Sequence, residues 1–163
     1  MRILKWLLIA LVVIVVGGIV AGRLGLLQGS PPTDLGVRDG RLKPPSTTPN
    51  SVSSQASLHP SHPRHVDAQI EPLRYRGQST AAFARLTTLV RATSGAQIIK
   101  SEAGYLYATF TTPLMGYVDD VEFWLDPAGG VIQVRSASRI GHSDRDANRA
   151  RIEPLRASFE RAS

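Results

Sequence analysis

Between residues 117 and 140 the chain alternates with the two-residue period of a β-strand. In the first run Tyr117, Asp119, Val121, Phe123 and Leu125 share one face, and Val118, Asp120, Glu122, Trp124 and Asp126 share the other. Pro127-Ala128-Gly129-Gly130 marks a turn. The second run puts Ile132, Val134, Ser136, Ser138 and Ile140 on one side, and Val131, Gln133, Arg135, Ala137 and Arg139 on the opposite side. Closing the turn with Asp126 opposite Val131 sets Val121, Phe123 and Leu125 against Ser136, Val134 and Ile132. The same register places Glu122 against Arg135, Trp124 against Gln133, and Asp120 against Ala137. A slip of one residue would carry arginines to the apolar side, so the pattern selects this hairpin.

The flanking residues supply further elements. Ala82, Phe83, Leu86, Leu89 and Val90 recur at helical spacing, which predicts a helix over residues 78–93 with Ser79 as N-cap and Gly95 as stop. Residues 96–101 and 105–111 read as strands joined by a turn at 102–104. In the second of them Leu106, Ala108 and Phe110 oppose Tyr105, Tyr107 and Thr109. Ser143 followed by Asp146 reads as a capping box. Ile152, Leu155 and Phe159 then give a helical stripe that Pro154 should kink. Helix, four strands, helix is the order of an α+β domain: an antiparallel sheet with helices on one face.

The first 65 residues follow other rules. Residues 6–22 are an unbroken apolar run, with Arg2 and Lys5 before it and Arg23 after it. Counted from Ile3 to Ala21 the helix has 19 residues with Lys5 near its edge, about 28 Å at 1.5 Å per residue, just enough for a bilayer core. A cleaved signal peptide has a similar outline, but Ile19 fits an A-x-A cleavage site poorly, so a retained anchor over residues 1–27 is the preferred reading. The basic residues before the span orient it with the N-terminus inside. That places the protein as single-pass in the inner (cytoplasmic) membrane with its C-terminal domain facing the periplasm. Gly18 and Gly22 have GxxxG spacing, which predicts a weak homodimer of membrane helices. Residues 28–65 hold seven prolines and seven serines and show no apolar period, which predicts a tether ahead of a domain at 66–163. His59, His62 and His65 would share one face of a polyproline II helix and form a candidate metal site.

Charge divides unevenly. Residues 1–65 carry 7 Lys+Arg and 2 Asp+Glu, a net of +5, whereas residues 66–163 carry 12 and 11, a net of +1. The basic character belongs to the anchor and tether, beside an anionic leaflet, and not to the domain, which argues against a nucleic-acid partner. With no cysteine in the chain, disulfides, thiolate metal sites, cysteine nucleophiles and a lipoprotein anchor are excluded.

The string Asp119-Asp120-Val121-Glu122-Phe123, then residues 134–141, Asp144, Asn148-Arg149, Arg151-Ile152-Glu153 and Leu155-Arg156 resembles the bacterial and plastid family called domain of unknown function 1499. Pro49-Asn50 with Val52-Ser53-Ser54 resembles its upstream motif, and the resemblance covers residues 42–160. Members of that family commonly carry a cysteine pair around the proline-asparagine motif, at positions matching Pro45 and Ser51 here. The joint loss fits an optional disulfide and speaks against essential thiol chemistry. The resemblance also implies that residues 42–54 are an ordered docking segment. It brings no established activity.

Two functions compete. The first is a non-enzymatic, membrane-tethered binding or assembly domain with a protein partner, whose ligand surface is Asp120, Glu122, Arg135, Arg139, Asn148, Arg149 and Arg151. Arginine suits carboxylates and phosphates because its planar fork donates two bonds at once. The second is a hydrolase that uses Asp120 and Glu122, or His142 with Asp144 and Asp146, as acid–base or metal groups. No nucleophile elbow, zinc helix or Walker loop is present, and no cofactor is indicated.

Overall fold

The predicted hairpin forms the middle of the sheet. In a computed structural model describing residues 2–161, β5 (Val118–Asp126) and β6 (Val131–Ser138) pair antiparallel. The pairs include Glu122 with Arg135, Asp120 with Ala137 and Phe123 with Val134. β3 (Ala96–Glu102) and β4 (Tyr105–Thr111) extend the meander on the β5 side. The sheet has six strands, not the four expected, because two short ones pair with the outer edge of β6. They are β1 (Ser51–Ser53), opposite residues 135–137, and β2 (Leu73–Arg74), opposite residues 131–132. Runs of three and two residues are too short to show any alternation, so composition alone reads them as linker.

One face of the sheet is apolar. Val52, Leu106, Ala108, Phe110, Val121, Phe123, Ile132 and Val134 are buried there against α2 (Ser79–Ala92) and α3 (Ala147–Arg161). The helices contribute Ala82, Phe83, Leu86, Val90, Ile152, Leu155 and Phe159. α2 begins at the expected cap, Ser79, so the N-cap position falls one residue earlier on Gln78, with no side-chain bond there. It ends at Ala92, and the chain turns at the expected stop residue Gly95, whose φ of +77° favours glycine and where a Cβ would lie 2.6 Å from the Thr111 carbonyl oxygen.

Asp144 caps α3 in place of the expected Ser143/Asp146 box. One of its carboxylate oxygens accepts from the Asn148 backbone N–H at 2.9 Å and from its side-chain amide at 2.7 Å. Arg145 and Asp146 are both left-handed, at φ of 50° and 64°, which turns the chain before Ala147 and leaves Asp146 outside the helix. The helix continues through Pro154. Ala150 and Pro154 are both exposed, so water can satisfy the carbonyl that proline leaves without a donor.

The segment read as a tether is largely folded. Leu42, Pro45 and residues 50–56 are buried, and the Gln55 side chain accepts from the Leu42 N–H and donates to the Gly40 carbonyl. Side-chain amides and an edge strand hold this segment, not an apolar stripe, which is why it shows no hydrophobic period. Ser51 Oγ accepts from the Ser46 N–H at 2.7 Å, tying together the stretches where the family resemblance implies a cysteine pair. Among the described residues no group of three His, Cys, Asp or Glu can hold a metal, so the three histidines do not gather. In place of an extended polyproline helix, the backbone N–H groups of His62 and His65 bond to the carbonyls of His59 and His62, winding the stretch into successive tight turns.

α1 (Arg2–Arg23) is long and apolar enough to cross a membrane, and its span is exposed to the surroundings. Gly18 and Gly22, expected to face a second helix, face residues of the same chain. A Cβ on Gly22 would lie 2.3 Å from the Met115 carbonyl oxygen, and one on Gly18 would lie 3.2 Å from the Met115 methyl carbon.

Asn148 joins these parts and is fully buried. Its amide nitrogen donates to the Asn50 carbonyl, Ser138 Oγ and Asp144, while its oxygen accepts from Ser136 Oγ and Arg151. Asn148→Ala should therefore lower stability by on the order of 3 kcal/mol, since it strands several buried polar groups at once. Urea unfolding of the full chain in detergent micelles measures this. A loss under about 0.5 kcal/mol, typical of an inert surface change, would contradict the assignment.

Candidate functional site

The face of the sheet turned away from the helices carries the charge. β4, β5 and β6 lie side by side, so their alternating residues Tyr105 and Tyr107, Glu122 and Asp120, and Arg135 form rows across that face. Each tyrosine reaches one pair along to a carboxylate. Tyr105 Oη donates to Glu122 Oε1 at 2.8 Å, and Tyr107 Oη donates to Asp120 Oδ1 at 2.5 Å. Arg139, at the end of β6, holds Asp120 with a two-pronged contact of 2.8 and 2.9 Å. Arg135 approaches Glu122 Oε2 only to 3.8 Å. The result is two tyrosine–carboxylate–arginine sets side by side, one tightly closed and one open.

Residues 34–46 cover the open set. The Gly36 N–H donates to Glu122 Oε1 at 2.8 Å, and Arg135 Nε donates to the Pro44 carbonyl at 3.2 Å. Lys43 pairs with Asp34 at 2.6 Å on the same segment. Glu122 has no exposed surface, and Arg135 is 4% exposed. Among the described residues Glu122 Oε2 has no hydrogen-bond partner, and the bond to Pro44 is the only hydrogen bond of the Arg135 side chain. A cavity of about 160 Å³ lies beside Arg135, lined in part by Ser30, Lys43, Ser46, Asp120, Arg135 and Arg139.

Burial dominates the electrostatics. Desolvation raises the Glu122 carboxyl above its ordinary 4.5, although the Tyr105 hydroxyl, the Gly36 N–H and the Arg135 charge oppose it. Desolvation likewise lowers Arg135, with the Glu122 charge opposing it. Burial and then the Glu122 carboxylate push Tyr105 upward. Tyr107 is pushed up to about 12 by burial and by its bond to Asp120. Arg139 is raised by its bond to Asp120.

The residues expected to form one ligand surface fall on two sides of the sheet. Asp120, Glu122, Arg135 and Arg139 come together on the polar face. Asn148, Arg149 and Arg151 lie on the helical side, because α3 packs there and Asp119 and Ser136 point that way. Arg151 pairs with Asp119 and stacks 5.2 Å from the Phe110 ring. Arg149 donates to the carbonyls of Asp67 and Gln69, fastening the chain ahead of β2. These three residues hold the fold. Of the second candidate set, Asp144 caps α3 and His142 is exposed in the turn before it.

Sequence reading missed Tyr105, Tyr107, Lys43 and the backbone of Gly36 and Pro44. The alternation of Tyr105, Tyr107 and Thr109 carried the signal for the tyrosines, but only the β4–β5 register brings it to bear. A separate apolar recess of about 740 Å³, between α2 and the Trp124–Leu125 end of β5, includes none of the expected site residues.

A raised carboxyl has a defined pH signature. The folded state holds the Glu122 proton more tightly than the unfolded chain. Its contribution to stability is therefore complete below the ordinary glutamate range and is lost as pH rises through the raised value. Glu122→Gln should flatten that part of the stability profile, measured by urea unfolding from pH 4 to 8. An unchanged slope would show that another group carries it.

No curated protein and no solved structure matches the chain. The model of a family described as a protein of unknown function (DUF1499) matches residues 41–159, from the segment over the polar face to the last turns of α3, and the chain belongs to that family.

Proposed function

We propose that this protein is a single-pass inner-membrane protein whose periplasmic domain binds or assembles with a partner without catalysis, and that the polar sheet face takes an anionic oxygen group, a phosphate or a carboxylate. The observation that carries the binding reading is Arg135, a buried guanidinium with one hydrogen bond and a carboxylate neighbour too distant to close the pair. Buried charges are normally paired and fully hydrogen-bonded. The cavity wall carries three cationic side chains, Lys43, Arg135 and Arg139, and one carboxylate side chain, Asp120, which Arg139 already holds. Serines 30 and 46 add neutral donors at its wall. The apolar span of α1, with Arg2 and Lys5 before it, supports the anchor and its orientation.

The hydrolase reading is weaker on these geometries. The two-pronged Arg139 contact occupies Asp120, and Tyr105 and Gly36 occupy one oxygen of Glu122. A general base needs a lone pair within reach of a substrate proton.

Titration of the full chain in micelles with inorganic phosphate, followed by NMR at constant ionic strength, tests the binding. Saturable shifts at Ser46 and at Arg135 Nε, with a Kd on the order of 1 mM, are expected. Lys43→Gln, a change at a partly exposed side chain, should weaken binding about tenfold with the fold intact. Linear, unsaturable shifts unaffected by Lys43→Gln would overturn the reading.

A further inference from the structure

We infer that the β4–β5 loop, residues 112–117, is a membrane-contacting loop that seats the domain directly on the bilayer surface into which α1 runs. The inference rests on the anchor reading above and on where α1 meets the domain.

The contact is close. The Gly22 backbone touches the Met115 carbonyl, and the Gly116 backbone touches the Gly22 carbonyl; at each glycine an added Cβ would lie within 2.7 Å of the facing oxygen. The Met115 side chain runs back along the helix to Gly18, one turn inside the apolar span. Four residues of helix rise about 6 Å. A loop that reaches Gly18 therefore lies at the depth of the headgroups if α1 crosses the bilayer.

The rest of that end of the domain suits the same layer. Leu114, beside Met115, is 57% exposed, and Leu24 and Leu26, just past α1, are 70% and 72% exposed. Tyr117 and Ile140 are each 38% exposed. Gly29 packs against Arg139 and Ile140, so the chain leaving the helix follows the same edge of the sheet. Apolar side chains with a tyrosine and with Arg23 among them match the composition of a bilayer interface, where aromatic rings sit at headgroup level and arginines reach outward. The occupant is a phospholipid leaflet, because the helix that enters it is covalently continuous with this surface.

The loop also sets the orientation of the domain. The β5–β6 turn lies at the other end of β5, about 30 Å from the loop at 3.3 Å per residue. The polar cavity includes Ser30 and Arg139, which places it near the membrane end of the sheet.

The chain has no native cysteine, so a single introduced one reports its own position. Leu114→Cys, Ala128→Cys and Val12→Cys would each carry an environment-sensitive NBD label in the full chain, reconstituted in phosphatidylcholine/phosphatidylglycerol vesicles. Leu114 is exposed, so its replacement leaves the core in place. The expected result is blue-shifted emission at residue 114 quenched by shallow doxyl lipids, deeper quenching at residue 12, and none at residue 128. Quenching at residue 12 without quenching at residue 114 would overturn the inference and leave the anchor standing. Absence of quenching at residue 12 would remove the anchor and the inference with it. A blue shift at residue 114 that varies with protein-to-lipid ratio and resists doxyl quenching would assign the loop to a second copy of the chain and overturn the lipid contact.

Discussion

Glu122 and Arg135 face each other across the central strand pair, both buried, yet they stand 3.8 Å apart. Removing two charges from water costs several kcal/mol for each ion, and a gap of that size recovers the cost only in part. The surroundings supply what the pair lacks. Tyr105 and the Gly36 N–H bond one carboxylate oxygen, and the Pro44 carbonyl takes Arg135 Nε. Two of these three partners are backbone groups of residues 34–46. The segment that enters the domain from α1 is thus required to bury the pair, and the pair in turn fixes where that segment lies.

The neighbouring Tyr107–Asp120–Arg139 set shows what a closed version looks like. There the arginine makes a two-pronged contact, and the tyrosine hydroxyl completes the network at 2.5 Å. The two sets lie on adjacent rows of one sheet and differ mainly in cover and in the reach of the arginine. Arg135 sits directly opposite Glu122 in the ladder, whereas Arg139 comes from beyond the paired residues and can bend toward Asp120. Direct opposition fixes Cβ spacing near 5 Å and leaves a long guanidinium little freedom to fork onto its partner. The open geometry at Arg135 follows from register and creates the cavity beside it.

Much of this was legible in the sequence. Alternation in β5 and β6 was sharp enough to give every pair of the hairpin, because a slip would have buried arginines among valines. The stripe of α2 was read correctly for the same reason. β1 and β2 were not legible, since they are too short for a period to show. The expected ligand surface joined residues of α3 to the polar face. The arginines of α3 looked available for it, but Asn148 and Arg151 answer Ser136 and Asp119, whose side chains alternate to the helical face. The real cover consists of backbone groups in a proline-rich stretch, which leave no side-chain signature. Only the family resemblance pointed to order there, from residue 42 onward.

A direct interaction between Glu122 and Arg135 underlies the covered polar face, and a double-mutant cycle measures it most directly. Glu122→Gln, Arg135→Gln and the double variant would be unfolded with urea at pH 7 as full chains in micelles. Breaking a buried pair from one side costs about 3–5 kcal/mol, so Arg135→Gln should be strongly destabilising. The double variant should then lose less than the sum of the single losses by at least about 1 kcal/mol. Strictly additive losses would show that the two side chains do not interact, and would contradict both the open pair and the role given to the segment above it.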